Sequence, residues 1–225
     1  VEEQKKIAEI LFTWDKAIEL KEKLIEQKKE LKKGLMQKLL TGEVRLPGFR
    51  EKWDLVHFND IYINLPVKNH QIKTKEYLES GAFPVVDQGK KKIVAYSNNK
   101  EKVFNVPSTG VIIFGDHTRE VKYIDFDFVV GADGTKILVT KNGNDVKFYY
   151  YHLLNKRIPN NGYSRHFRIL KEMSFYKPPI EEQKAIANVL SIIDEELDLL
   201  NQELSLMKEQ KKGLMQLLLT GKIRV

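Results

Sequence analysis

EEQKAIANVLSIID at residues 181–194 repeats EEQKKIAEILFTWD at residues 2–15, and KKGLMQLLLTGKIR at residues 211–224 repeats KKGLMQKLLTGEVR at residues 32–45. A constant offset of 179 aligns Glu2–Arg45 with Glu181–Arg224 without a gap, and half of the aligned positions are identical. One segment, written twice, therefore brackets a middle that is not repeated. A solenoid would need several short contiguous repeats. Two copies around a domain-sized insert describe instead a pseudo-symmetric scaffold that presents a variable module between two spacers.

Both copies read as long helices. In the second, Ile186, Leu190, Ile193, Leu197, Leu200, Leu204, Met207, Lys211, Leu214 and Leu218 keep strict 4-3 spacing, broken only by Lys211. A 3.5-residue period sustained over this length is the mark of a coiled-coil seam. The equivalent positions of the first copy include Lys21, Lys28 and Lys32, which weaken the seam, while Ala17, Leu20, Leu24 and Leu31 form a second stripe beside it. Either the first helix touches more than one neighbour or its register shifts within a single pair. Gly34 and Gly213 sit at the same place in both copies; a mid-helix glycine costs about 1 kcal/mol relative to alanine and suggests close backbone approach or a bend.

Thr41-Gly42 stops the first helix, Pro47-Gly48 turns the chain, and Pro178-Pro179 leads into the second helix. These signals divide the chain into a spacer helix over 1–45, a middle domain over 46–179 and a second spacer helix over 180–225. The expected fold is α+β: a globular domain with a twisted sheet, and two long helices forming an antiparallel coiled-coil hairpin that projects from it. At 1.5 Å per residue, roughly 35 residues make an arm on the order of 50 Å, the length of about 15 base pairs.

Charge separates the same three parts. The first helix carries 11 Lys/Arg against 9 Asp/Glu and the second 6 against 8, so the middle, with 21 against 14, holds the whole formal charge of +7. Apart from Phe12 and Trp14, all the aromatic residues are there too. Basic residues interleaved with aromatics in one folded block suit a nucleic-acid surface, although an ordinary lysine-rich domain has the same composition. The absence of cysteine excludes disulfides and thiolate metal sites and fits a reducing, cytoplasmic setting. No apolar run is long enough to span a membrane and no signal peptide is read before the repeat.

Within the middle, Phe83–Val86, Gly110–Phe114 and Lys136–Thr140 read as buried strands bounded by turn clusters, with helices expected at Asp145–Leu154 and Lys73–Leu78. Three loops carry chemistry suited to DNA: Asp87–Lys92, Gly115–Arg119 and Asn160–Arg168. Arginine holds guanine bidentately, glutamine or asparagine holds adenine, and lysine, serine and threonine suit phosphates. The candidate DNA-contacting residues are Gln88, Lys90, Lys91, His117, Thr118, Arg119, Arg165 and His166, on loops that must converge to act together. Asp116 near Arg119, and Asp133 near Lys136, read equally well as ion pairs or turn caps.

The paired EEQxxIA…LxxxD…KKGLMQxLLTG segments resemble the conserved repeats of specificity subunits of type I DNA restriction-modification systems. FPVVDQG (83–89), IIFGDHTR (112–119), GADGTKIL (131–138) and GYSRHF (162–167) resemble a target recognition domain of that family. The resemblance implies a subunit that reads one half of a split double-stranded DNA sequence and holds methyltransferase subunits, onto which restriction subunits assemble. A complete subunit has two recognition domains alternating with two such helices. This chain, with both helices and one domain, is expected to correspond to the carboxy-terminal half, and its apolar helix positions make self-association a further expectation.

Enzymatic alternatives are poorer. Lys177-Pro-Pro-Ile180 is not a methyltransferase [N/D]-P-P-[Y/F] site, and no glycine-rich cofactor strand appears. Asp133 with Asp145-Val-Lys147 has the residue types of a Mg²⁺-dependent nuclease, but the pattern is short, and Asp145 also suits a helix N-cap. The five histidines lack metal-ligand spacing. The expected protein is non-catalytic, without cofactor or metal, with the Mg²⁺-dependent nuclease using Asp133, Asp145 and Lys147, or a stand-alone coiled-coil DNA-binding regulator, as the alternatives.

Overall fold

The computed structural model describes residues 2–159 and 165–225. Five helices and ten strands follow in order: α1 (Glu2–Leu39), β1 (Asp54–His57), α2 (Phe58–Ile61), β2 (Tyr62–Leu65), β3 (Phe83–Val86), β4 (Ala95–Ser97), β5 (Val103–Phe104), β6 (Val111–Gly115), β7 (Val121–Ile124), β8 (Phe128–Val130), β9 (Thr135–Thr140), α3 (Val146–Asn155), α4 (His166–Lys171), β10 (Ser174–Lys177) and α5 (Ile180–Leu219). Two compact units result, Val1–Leu35 with Asn188–Val225, and Met36–Ala187. The division falls inside the two long helices. Met36, Leu39, Leu40, Ile186 and Ala187 are buried members of the second unit, which thus begins before residue 46 and ends after residue 179. Among the described residues no helix is long and apolar enough to cross a membrane.

The first unit is an antiparallel helix pair. Asp15 meets Lys211, Lys21 meets Glu203, Lys28 meets Glu196 and Lys32 meets Asp194, so the numbering rises in one helix as it falls in the other. Ile25 packs against Ile193 and Leu197, flanked by Leu35, Val189, Leu200 and Leu204. All four seam lysines lay their stems along this apolar strip and carry the ammonium outward to a carboxylate of the other helix, with side chains only 17–29% exposed. Leu20, Leu24 and Leu31 of the neighbouring stripe are exposed.

The second unit holds two four-stranded sheets rather than the one anticipated. One runs β2-β9-β6-β7, antiparallel throughout; the other runs β4-β3-β8-β5, with β3 and β8 parallel. Val86, Phe104, Val111, Ile113, Ile124, Phe128, Val130 and Ile137 form a core drawn from strands of both sheets. Every residue of β6 is buried, as expected of a central strand covered on both faces. A ribbon of β1 with β10 joins the domain's beginning to its end, pairing Asp54 with Lys177. An aromatic cluster of Phe58, Tyr62, Tyr149, Phe167 and Phe175 packs α2, α3 and α4 against it. Asp145 caps α3 by accepting from Phe148 N at 2.7 Å, as its position before a helix suggests. The helix expected at Lys73–Leu78 is only a 3₁₀ turn, Thr74–Glu76, because Leu78 leaves it to bridge Tyr96.

The repeat reappears as a pair of clasps. In the second unit Arg45 holds Glu182 through two bonds of 2.6 Å, and Trp53 Nε1 donates to the same carboxylate at 2.8 Å. In the first unit Arg224 pairs with Glu3 at 2.7 Å. Arg45 and Arg224, and Glu182 and Glu3, are equivalent positions at the offset of 179. Both copies also stop their helices with a left-handed glycine, Gly42 at φ 75° and Gly221 at φ 69°.

Candidate nucleic-acid interface

Topology alone brings the motif loops to one rim. β3 and β8 are parallel neighbours, so Asp87–Lys92 and Gly131–Gly134 leave the sheet at the same edge. In the other sheet Gly115, the last residue of β6, lies opposite Thr135, the first of β9. Gly115–Arg119 and Gly131–Gly134 are therefore also neighbours, and hydrogen bonds lock the three together. Gln88 Nε2 donates to Asp133 O at 2.7 Å, Gln88 Oε1 accepts from His117 N at 3.1 Å, and Thr118 Oγ1 donates to Gln88 O. Asp116 N donates to Gly134 O at 2.7 Å and Gly131 N to Val86 O at 2.8 Å.

Glycine is required where these loops touch. A Cβ on Gly134, whose φ is 90°, would stand 2.6 Å from Gln88 Oε1, and one on Gly115 would stand 2.7 Å from Gln88 O. The glycines of GDHTR and GADG thus make room for the glutamine of DQG. Inside the first loop, Asp87 Oδ1 accepts from Gly89 N at 2.8 Å, and Lys122 Nζ reaches Asp87 O at 2.6 Å and Lys91 O at 2.9 Å. Burial pushes the Lys122 ammonium below the ordinary lysine range, with Asp87 opposing the shift.

The third loop is tied in through Asp116. His166 N and His166 Nδ1 both lie against Asp116 O, at 2.9 and 3.0 Å, while Asp116 Oδ1 accepts from Phe167 N at 2.9 Å. Lys136 Nζ lies 3.9 Å from Asp116 Oδ2, so Asp116 is both a helix cap and half of an ion pair, with Lys136 rather than Arg119. Residues 160–164, including the first half of GYSRHF, lie outside the described residues.

The eight expected contact residues divide accordingly. Lys90, Lys91, Thr118 and Arg165 are exposed at the rim. His166 is 1% exposed and serves as an internal anchor, which corrects its assignment to the DNA-facing set. Gln88 is half-buried, and its amide bonds two loops with one N–H and one oxygen lone pair, so it positions the rim. His117 is half-buried beside it. Arg119 is the one non-glycine residue with a left-handed backbone among those described, at φ 63°, and its guanidinium donates to Ile158 O at 3.2 Å. Lys122 and Tyr77, whose hydroxyl accepts from Ala132 N at 2.8 Å, were not legible as loop ties, because each is distant in sequence from what it holds. The Glu182–Arg45 clasp did have a signal, since both residues recur in the other copy.

Asp133 and Asp145 do not meet. They lie beyond opposite ends of β9, whose six residues span roughly 20 Å at 3.3–3.4 Å each. Asp133 accepts from Gln71 Nε2 at 3.0 Å, and Lys147 lies over the Tyr123 ring. No group of three His, Asp or Glu residues among those described is arranged to hold a metal ion.

Residues 50–209 match the family described as type I restriction modification DNA specificity domain. The whole chain is 31% identical to the MjaX type I restriction enzyme specificity subunit of Methanocaldococcus jannaschii, covering 58% of it, and 28% identical to the MjaVIII specificity subunit of the same organism, covering 61%. The fold is similar to that of a type I restriction-modification S subunit from M. genitalium, with a TM-score of 0.70 at 20% identity over 96% of this chain and 60% of that one. The chain thus spans about 60% of the length of these relatives.

Proposed function

Because this chain belongs to the family of type I restriction modification DNA specificity domains, we propose that it is a DNA-recognition subunit that reads half of a split double-stranded target and scaffolds methyltransferase subunits. Restriction subunits join through that assembly, and the chain itself is a non-catalytic, cytoplasmic protein. The observation that carries this reading is the rim: four family motifs, spread over residues 83–167, are tied together there by Gln88 and Asp116, with Lys90, Lys91 and Arg165 exposed around the knot. Arg165 and the remaining donors of Arg119 suit guanine edges, while the lysines suit phosphates. Exposed apolar residues on the helices, Leu20 and Leu31 on α1 and Ile192, Leu199 and Leu206 on α5, supply the surface for the methyltransferase subunits. The separation of Asp133 from Asp145 supports a non-catalytic role.

The test is co-expression with the methyltransferase subunit of the same system. A complex should form that methylates DNA at one sequence, and Arg119→Ala or Arg165→Ala should relax preference at a single base position at a cost of about 1–3 kcal/mol. A purified chain that cuts DNA with magnesium, and loses that activity in Asp145→Ala, would replace this reading with the nuclease. A chain that binds DNA specifically but never joins a methyltransferase would replace it with the regulator.

A further inference from the structure

A second basic feature lies in the same domain, lined by other lysines than those of the rim. Three short 3₁₀ turns, Lys68–His70, Thr74–Glu76 and Lys100–Lys102, border an open cleft of about 550 Å³ lined by Lys68, Gln71, Lys73, Glu76, Lys102 and Asp133. One backbone and one side-chain contact tie the segment around residues 70–72 to the sheet: Ile72 N donates to Val130 O at 3.0 Å, and His70 Nδ1 lies 3.0 Å from Val103 O. The carboxylates of the cleft are already committed. Glu76 Oε2 accepts from Lys73 N at 2.8 Å, and Asp133 Oδ1 accepts from Gln71 Nε2 at 3.0 Å. The lysines are not: ion pairs of the domain's lysines fall on Lys92, Lys122 and Lys136, and none involves Lys68, Lys73 or Lys102 among the described residues.

Three ammonium groups against two carboxylates leave the cleft one positive charge in excess. That balance suits a monoanion. A phosphodiester carries a single negative charge, whereas a free phosphate monoester or a nucleoside triphosphate brings two or more and would face Glu76 and Asp133 at a disadvantage. The cleft also shares a residue with the rim, since Asp133 gives its carboxylate to Gln71 and its carbonyl to Gln88. The cleft and the rim loops therefore adjoin at Asp133.

We propose that this cleft seats a phosphodiester of the DNA backbone, a sequence-independent contact that supplements the reading of bases at the rim. The proposal rests on the rim binding DNA. It is tested with the full chain and a labelled random-sequence duplex, by fluorescence anisotropy across a salt series, with circular dichroism to verify folding. Lys68→Gln, Lys73→Gln and Lys102→Gln should each weaken binding, and the triple variant should reduce the slope of log affinity against log salt by about 0.9, the share of one phosphate. Asp133→Asn keeps an acceptor for Gln71 and removes a negative charge, so it should tighten binding and steepen the slope, a change of sign that misfolding does not produce. An unchanged slope in the triple lysine variant, with a reduced slope in Lys90→Gln, overturns the cleft and leaves the rim standing. Failure of the unaltered chain to bind duplex at low salt removes the rim reading and the cleft with it. ATP binding that depends on the three lysines, without any change in duplex affinity, overturns the proposal in favour of a free nucleotide.

Discussion

Gln88 joins two loops with one amide, donating to Asp133 O and accepting from His117 N. Removing the side chain leaves both backbone groups without this partner, which costs about 1–3 kcal/mol where they are shielded from water. Gln88→Ala should therefore lower thermal stability and, because the loops lose their mutual position, reduce the ratio of preferred to random-sequence DNA affinity more than it reduces random-sequence affinity. An unchanged ratio would show that the knot is structural only. Gln88→Glu should fail in the same way, since a carboxylate cannot donate to Asp133 O. His152 is the other decisive single residue. It is buried against Phe148 and Phe175, neither ring nitrogen has a hydrogen-bond partner among the described residues, and burial, with Lys156 adding to it, pushes its pKa down to about 3. The unfolded chain takes up a proton near pH 6.5 that the folded chain refuses. Stability is thus fully present above that pH and is lost as pH falls from about 6.5 towards 3, on the order of 3 kcal/mol by pH 4. Chemical denaturation across this range should show the loss, and His152→Phe should flatten it; an equally steep profile in that variant would assign the acid sensitivity to other groups.

Elements show what the duplication preserved and where its two copies diverged. The same Glu–Arg pair occurs twice, but Glu182 is completely buried and also serves Trp53, whereas Arg224 of the other copy is 77% exposed. Glu182→Ala strands a guanidinium and an indole N–H and should cost about 3 kcal/mol; Glu3→Ala should leave the melting temperature nearly unchanged, because an exposed pair contributes little. Equal effects of the two substitutions would sink this account. Gly34 and Gly213 also recur, yet a Cβ on either meets no atom within 4 Å, and both helices run through unbroken. Among the described residues no close backbone approach explains them. Gly34→Ala and Gly213→Ala should each stabilise the helix pair by about 0.5–1 kcal/mol, read as an upward shift in thermal unfolding. A loss of stability in either would reveal a constraint on these positions that the free chain does not display.

At the scale of the whole molecule the two units divide the proposed work. The helices are nearly neutral and the middle carries the entire net charge of +7, so DNA affinity and partner affinity should be separable. Leu199→Asp with Leu206→Asp alters only exposed positions of α5. The double variant should fold, bind random duplex with unchanged salt dependence, and fail to co-purify with the methyltransferase subunit. Retained co-purification would move the partner surface elsewhere on the chain.

The strand-like runs of the middle pointed to the α+β class and the resemblance of the quoted motifs pointed to the family; periodicity and repetition by themselves determined the helix pair and its approximate ends, because a 3.5-residue apolar period and a gapless duplication are signals that survive without coordinates. Strand cores such as Phe83–Val86 and the Asp145 cap were legible for the same reason. The tertiary structure alone decided how many sheets there are, that the three motif loops meet, and which of their polar groups remain available. His166 and Arg165 are adjacent in sequence, yet one is buried on Asp116 and the other exposed. Gln88 has the right chemistry for a base, yet its amide also ties Asp133 to His117. The seam lysines weaken the coiled coil on paper and pair across it in space. In each case hydrogen-bond capacity is a property of the residue, while its use depends on which distant segment the fold brings within about 3 Å.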